Sequence, residues 1–211
     1  MVRAIVAFVA CLCGCGFEHG QVIDAGRPED TKGSDAGDGS VGLVCPESYA
    51  VTLPGSTSKY RPIVSNDNFW MHDDACNKDA PGDTHLAVID STAELAALTT
   101  VLEGSVTQPT NSWYLVGCVQ APGQSTPTAM WNWFSGATVP INTNIWGIYN
   151  SAQQPNDGDG IEDDVENLCI LQSSQGKLLD GTGRNALGYG AVCECDGIAT
   201  DPTVRARIPA M

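Results

Sequence analysis

The cysteines constrain the fold of this chain more than any other residues. Nine cysteines occur among 211 residues; three crowd into the first fifteen positions, and six lie between Cys45 and Cys195. An even number of cysteines in an exported segment predicts disulfides, and six can pair as three bridges in fifteen ways. Zinc is the competing interpretation, but Cys193 and Cys195 have one residue between them, whereas paired zinc ligands usually have two to four. The spacing therefore favours a domain stapled by three disulfides.

The first fourteen residues resemble the export signal of a bacterial lipoprotein. An apolar run over residues 4–12 is too short to span a bilayer but suits a signal peptide. Residues 12–15 (Leu-Cys-Gly-Cys) then resemble a lipobox, which implies that Cys15 becomes the lipidated N-terminus. Lipidation at Cys11 fits less well because Phe8 would open the lipobox, and an ordinary cleaved signal peptide is a further alternative. The prediction is a lipid-anchored protein of the bacterial cell envelope.

The rest of the chain divides by composition into three parts. Residues 15–42 are rich in glycine, aspartate and serine, so they are predicted to form an acidic flexible tether. Residues 43–196 are predicted to form one domain, and residues 197–211, which lack periodicity, a loose C-terminal tail. The formal net charge of −15 argues against nucleic acid as a partner, because phosphates need a basic surface.

Hydrophobic periodicity in the domain predicts helices first and strands afterwards. Residues 68–79 are a candidate helix, and residues 91–104 are the strongest one, because Ser91 and Glu94 match a capping box. Short β-rich runs bounded by turn residues predict strands at residues 86–89, 113–119, 130–134, 168–172 and 190–194. Two helices with antiparallel sheets and long disulfide-stapled loops indicate an α+β fold.

The loop after Trp146 is dense in oxygen atoms. Gln154-Pro155-Asn156 places an amide side chain on each side of a proline. Six carboxylates follow within the next ten residues: Asp157, Asp159, Glu162, Asp163, Asp164 and Glu166. Such a loop is suited to a hard cation and to polar ligands. The alternative is a structural turn whose carboxylates are merely solvated.

Several segments in series resemble a C-type lectin-like domain. In chain order they are residues 84–91 with Glu94, 114–118, 131–136, Trp146 with 154–156, and 191–194. Together they cover essentially all of the segment from Cys45 to Cys195. The resemblance implies a fold of that family and a binding function directed at a glycan or a protein surface.

The resemblance also implies a ligand set. In sugar-binding members one calcium and two sugar hydroxyls share the oxygens of the long loop, which correspond here to Gln154, Asn156, Glu162 and Asp180. Glu166 is an alternative ligand, because residues are inserted between Glu162 and Cys169. This chain departs from the pattern at Leu179, which stands where the family has asparagine, and at Gln154, an amide in place of a carboxylate. No particular sugar is predicted.

Disulfide partners are implied by the resemblance as well. The family joins the first-helix cysteine to the last strand, which corresponds to Cys76–Cys193. Its second bridge has no counterpart in residues 178–183, so Cys118 is predicted as the partner of Cys169. Cys45 and Cys195 then pair and join the two ends of the domain.

The remaining chemistry-bearing residues favour structural roles. His85 is predicted to be packed rather than catalytic. Four tryptophans are predicted to belong to the core, with ligand stacking as the alternative for the last of them: Trp113, Trp131, Trp133 and Trp146. No nucleophile or metalloprotease motif occurs, so the chain is predicted not to be an enzyme. The predicted function is carbohydrate recognition assisted by calcium; the alternative is a protein-binding or structural module that uses neither.

Overall fold

The structure, a computed structural model, describes residues 43–105, 112–156, 167–182 and 189–208. Cys15, the tether at 15–42, Glu162 and Glu166 lie outside these residues, so the roles assigned to them stay predictions. Within the described ranges no helix is long and apolar enough to cross a bilayer.

The described residues form three helices and ten strands. The helices are α1 (Phe69–Asn77), α2 (Thr92–Glu103) and α3 (Pro202–Arg205). The strands are β1 (Val51–Thr52), β2 (Lys59–Asp67), β3 (Thr84–Leu86), β4 (Trp113–Gln120), β5 (Trp131–Trp133), β6 (Ile148–Tyr149), β7 (Ala152–Gln153), β8 (Leu168–Gln172), β9 (Lys177–Gly181) and β10 (Tyr189–Cys195). The α+β fold class is therefore confirmed.

One large sheet is organised around its last strand. The strand order is β1-β2-β10-β4-β8-β9, and β3 and β5 pair with β10 and β4 outside this path. All pairings are antiparallel except that of β10 with β4, which is parallel. Every residue of β10 is buried, as expected for a strand with neighbours on both edges and packing on both faces. A separate two-stranded hairpin, β6–β7, lies in the long loop, where the sequence predicts no strand.

Both long helices begin at side chains that cap their free amide groups. The Asn68 side chain accepts from the backbone N–H of Met71 at the start of α1. At α2, the hydroxyl of Ser91 accepts from the N–H of Glu94, and the Glu94 carboxylate accepts from the N–H of Asp90 at 2.7 Å. The capping box predicted at α2 is thereby confirmed.

The core joins buried residues of α1 and α2 to those of the sheet. Leu95, Leu98 and Leu102 repeat at helical spacing on one face of α2 and are each at most 2% exposed. Trp131 and Trp146 pack edge-on with ring centroids 5.0 Å apart, and both are 1% exposed. Trp146 also donates from its indole nitrogen to the carbonyl oxygen of Pro140, and it belongs to the core, as predicted.

Three disulfides cross-link the domain. They join Cys45 to Cys195, Cys76 to Cys193 and Cys118 to Cys169, with Cα–Cα distances of 5.9, 5.3 and 5.3 Å. These are the three predicted pairs, and two of them end on β10. The central strand of the sheet is therefore also the centre of the covalent network.

The C-terminal residues are not the loose tail that the sequence predicts. Val204 and Ile208 are each 2% exposed, and the guanidinium of Arg205 in α3 forms an ion pair with Asp73 of α1, whose side chain is fully buried. The segment packs because two apolar side chains and one charge find partners in the folded domain. Four residues are too few to show periodicity, so the sequence carries no helical signal here.

Candidate ligand-binding pocket

The Gln154-Pro155-Asn156 tripeptide is held against β9. The peptide bond between Gln154 and Pro155 is cis. The backbone N–H of Gln154 donates to the carbonyl oxygen of Gly147 at 3.0 Å, which closes the loop that contains the β6–β7 hairpin. The backbone N–H of Asn156 donates to Oδ2 of Asp180 at 2.9 Å. The structure therefore brings together three of the four predicted ligand residues.

These residues border a pocket of about 480 Å³, called here the long-loop pocket. Its polar lining includes Gln154, Asn156, Asp180 and Thr182. Its aromatic lining consists of Trp113, Tyr149 and Tyr189. A concave site of this size with a few polar groups among apolar ones is typical of small-molecule binding.

The aromatic residues come from three elements, β4, β6 and β10. The ring of Trp113 stacks on Tyr189 with centroids 5.9 Å apart and an angle of 19° between the planes. It meets Tyr149 edge-on at 5.6 Å. Trp113 is half-buried and packs against the core, so its predicted place there is confirmed in part; at the start of β4 it also borders the pocket. Tyr149 and Tyr189 are site residues that the sequence reasoning missed.

Among the described residues, three of the predicted ligand side chains border the candidate cation site: Gln154, Asn156 and Asp180. Calcium requires six to eight oxygen ligands, most of them from carboxylates, carbonyls and water. Leu179 contributes only hydrocarbon to the pocket and is 3% exposed. The carboxylate of Asp180 already accepts from the backbone of Asn156. Asp180 thus helps to fix the loop, and the described lining supplies one carboxylate and two amide side chains; the six carboxylates of residues 157–166 lie outside the described residues.

A second cluster of ionisable groups lies where β3 pairs with the end of β10. One atom each of His85, Glu194 and Asp196 lie within 4.8 Å of one another. The His85 ring meets the carbonyl oxygen of Leu86 at 2.8 Å and Oδ1 of Asp196 at 3.0 Å. Both partners are acceptors, so a doubly protonated ring satisfies both contacts. His85 and Asp196 form an ion pair within the cluster, and His85 is buried, as predicted.

Burial shifts the pKa values of both His85 and Glu194. Burial opposes the charged form of His85, but the Asp196 carboxylate and the Leu86 carbonyl group hold its pKa above the usual value. Burial raises the pKa of Glu194 to about 7, although Oε2 of Glu194 accepts from the backbone N–H of Val88. These groups are side-chain neighbours across β3 and β10, and they lie apart from the residues that line the long-loop pocket.

Comparison with solved structures finds C-type lectin-like domains. The C-type lectin CEL-I from Cucumaria echinata is 15% identical, with a TM-score of 0.53 over 71% of this chain and 96% of CEL-I. Human lithostathine is 20% identical, with a TM-score of 0.53 over 72% of this chain and 99% of lithostathine. The carbohydrate-recognition domain of the mouse scavenger receptor C-type lectin is 18% identical, with a TM-score of 0.50 over 72% and 98%.

Sequence comparison alone finds no relative. No protein-family model matches the chain, and no curated protein matches it significantly. The structural matches cover nearly the whole length of each neighbour, which at such low identity establishes the architecture and not the activity. The domain formed by the described residues has the C-type lectin-like fold.

Proposed function

We propose that this protein is a glycan-binding module and that its ligand occupies the long-loop pocket. The observation that carries the proposal is the composition of that pocket: three aromatic rings share it with the amide side chains of Gln154 and Asn156 and the carboxylate of Asp180. Sugars present both C–H and hydroxyl groups, so a site of mixed aromatic and amide character suits them.

The structural neighbours support the proposal by analogy. Two of them are described as a C-type lectin and as a carbohydrate-recognition domain. Binding without turnover is part of the proposal. Among its described lining residues the pocket has a single carboxylate, Asp180, and neither histidine nor cysteine, so these residues form no acid–base pair.

The proposal also places the domain at the surface of a bacterial cell envelope. The lipid at Cys15 would anchor the chain, and residues 15–42 would separate the domain from the membrane. The acidic charge of the protein would keep it away from anionic lipid headgroups.

A glycan array probed with the detergent-solubilised full-length protein tests the function. The array is run in calcium chloride and again in EDTA, with the parent protein and with Asn156→Ala. We expect a restricted set of glycans to be bound and the signal to fall in the variant, because the Asn156 amide lines the pocket.

Asn144→Ala is the matched control, since Asn144 is an exposed asparagine that does not line this pocket. Equal losses of glycan signal in Asn156→Ala and Asn144→Ala would contradict the assignment of the ligand to this pocket. If the protein binds a protein partner but no glycan, the protein-binding alternative replaces the proposal.

A further inference from the structure

The cluster of His85, Glu194 and Asp196 is fixed by the register of two strands. Glu194 of β10 lies directly opposite His85 of β3, and opposite residues of an antiparallel pair point to the same face. Asp196 follows Glu194 by two residues, the spacing that keeps an extended chain on one face. Cys195, between the two acids, is bridged to Cys45. Backbone pairing and a disulfide therefore hold the three side chains together.

The His85 ring is oriented as a metal ligand would be. Its Nδ1 lies 2.8 Å from the carbonyl oxygen of Leu86, which can only accept, so Nδ1 carries a proton. Nε2 then faces Oδ1 of Asp196 at 3.0 Å, which is also an acceptor. Either a second ring proton or a cation bound by both atoms satisfies this contact. Metal-binding histidines characteristically donate from their other ring nitrogen to a carbonyl or carboxylate group.

Backbone amides orient the two carboxylates as well. Oε2 of Glu194 accepts from the N–H of Val88 at 2.9 Å, and Oδ1 of Asp196 accepts from the N–H of Ile198 at 2.7 Å. Each carboxylate has a second oxygen and can accept further bonds. One ligand atom from each of the three residues already lies within 4.8 Å of the other two. The donors are thus gathered and oriented by the fold itself.

The donor set decides which kind of ion fits. One imidazole nitrogen and two carboxylate oxygens suit a borderline divalent ion such as Zn²⁺, which takes histidine, aspartate and glutamate ligands. Calcium prefers oxygen ligands, so the imidazole counts against it. With a neutral ring, the two carboxylates balance the charge of a divalent ion. Three protein ligands also leave one tetrahedral position for water.

We propose that His85, Glu194 and Asp196 form a binding site for Zn²⁺, in which the ion takes the place of the proton on Nε2 of His85. The ion would link β3 to the end of β10, beside the bridge between Cys45 and Cys195, so its role is structural. None of the three ligands lines the long-loop pocket. The inference is therefore independent of the proposed function.

A zinc titration of the detergent-solubilised full-length protein tests the site. The protein is stripped with EDTA, dialysed and titrated with zinc chloride at pH 8, where protons compete less with the ion. Calorimetry gives the affinity, long-range ¹H–¹⁵N NMR follows the histidine ring nitrogens, and His85→Gln assigns the His85 signals. We expect one ion to bind per chain, to shift Nε2 of His85 and to raise the melting temperature. His19 and His72, the other two histidines of the chain, should keep their signals, and calcium chloride should leave His85 unchanged.

Two conservative variants identify the other ligands. Asp196→Asn and Glu194→Gln each remove one charge and keep the shape of the side chain. Each should weaken zinc binding at least about tenfold, because even a change in a group that only orients a ligand costs that much. Asp83→Asn is the matched control and should bind zinc as the parent does: Asp83 is an exposed acid next to β3 and lies outside the cluster. Circular dichroism establishes that each variant is folded.

Three results would each overturn the site. They are failure of the parent to bind zinc, equal affinities in the parent, Asp196→Asn and Glu194→Gln, and a zinc-induced shift at His19 or His72 in place of His85. The glycan array decides the proposed function separately. A protein that binds zinc at His85 but no glycan would keep this inference and lose that one.

Discussion

Glu194 is a carboxyl group in the interior of the sheet, 3% exposed and next to His85 across the strands. Its pKa in the fold, about 7, lies above the usual 4.5 because burial disfavours the charge. A group whose pKa is raised on folding stabilises the fold in its protonated form. Its contribution is therefore complete below about pH 4.5 and is lost as the pH rises through about 7.

Replacement of Glu194 by glutamine should remove this pH dependence. Relative to the parent, Glu194→Gln should become more stable as the pH is raised from 5 to 8, because the variant has no charge to bury. The size of the change should be a few kcal/mol at most, because a tenfold change in an acid dissociation constant corresponds to about 1.4 kcal/mol.

Urea unfolding of both proteins at pH 5, 6, 7 and 8 measures the difference. The pKa of His72 is lowered by burial, so this group changes the stability with pH in the opposite direction. Its contribution cancels when the free energy of unfolding of the parent is subtracted from that of the variant at each pH. Glu47→Gln, at an exposed glutamate, is the control and should show no trend. A stability difference that is constant across this range would show that Glu194 does not titrate there.

At the scale of single elements, α2 depends on its N-terminal cap. Ser91→Ala removes the acceptor for the N–H of Glu94, and we expect a loss of about 1 kcal/mol in the free energy of unfolding. Thr92→Ala changes the next residue, which is exposed and does not cap the helix, and should cost less. Denaturant titration followed by circular dichroism compares the two. If both variants lose the same free energy of unfolding, the cap at Ser91 does not stabilise α2, and its stability comes from the packed leucines.

The elements that the sequence predicts correctly are those with local signals. The capping box at Ser91 and the β-rich run of β8 lie within a few residues of chain, and the predicted bounds of β8 match the observed Leu168–Gln172. The hairpin β6–β7 has two residues in each strand, and α3 has four in all, so neither is long enough for periodicity to appear.

The contact between the rings of Trp113 and Tyr189 could not be predicted, for a different reason. Trp113 and Tyr189 are neighbours because β10 pairs in parallel with β4, with Ala191 opposite Leu115. That pairing joins segments far apart in the sequence, and nothing near either residue encodes it. The one available sign was position: Trp113 opens its strand, and the ends of strands border loops. The acceptors of the long loop, in contrast, were predictable because Gln154 and Asn156 flank a proline in a recognisable motif.

At the scale of the whole molecule, two disulfides and the chain segments between their cysteines form one covalent ring. Cys45–Cys195 spans 150 residues and Cys76–Cys193 spans 117, so each closes a ring of 150 − 117 = 33 residues when the other is intact. In the chain-entropy model a ring of that size stabilises the fold by about 4 kcal/mol.

Removal of both bridges should therefore cost more than the sum of the separate removals. Either pair replaced by alanine, as Cys45→Ala with Cys195→Ala or Cys76→Ala with Cys193→Ala, should lower the free energy of unfolding by about 4 kcal/mol. The quadruple variant should lose about 0.6 to 1 kcal/mol beyond the sum, because a single remaining bridge closes a ring of 117 − 51 = 66 or 150 − 51 = 99 residues when Cys118–Cys169 is intact. Cys118–Cys169 stays intact in every variant. Urea unfolding measures the free energy of unfolding of the parent, the two double variants and the quadruple variant. Losses that add up strictly would contradict a ring shared by the two bridges.

The bridge between Cys45 and Cys195 also sets the path of mechanical force. If residues 15–42 tether the domain as proposed and the domain holds a fixed glycan, separation of the two surfaces would pull the domain at its N-terminal end. Tension that arrives at Cys45 passes through a covalent bond into β10 and does not peel β1 and β2 away one hydrogen bond at a time. The tension would then reach β10, the strand on which two disulfides end.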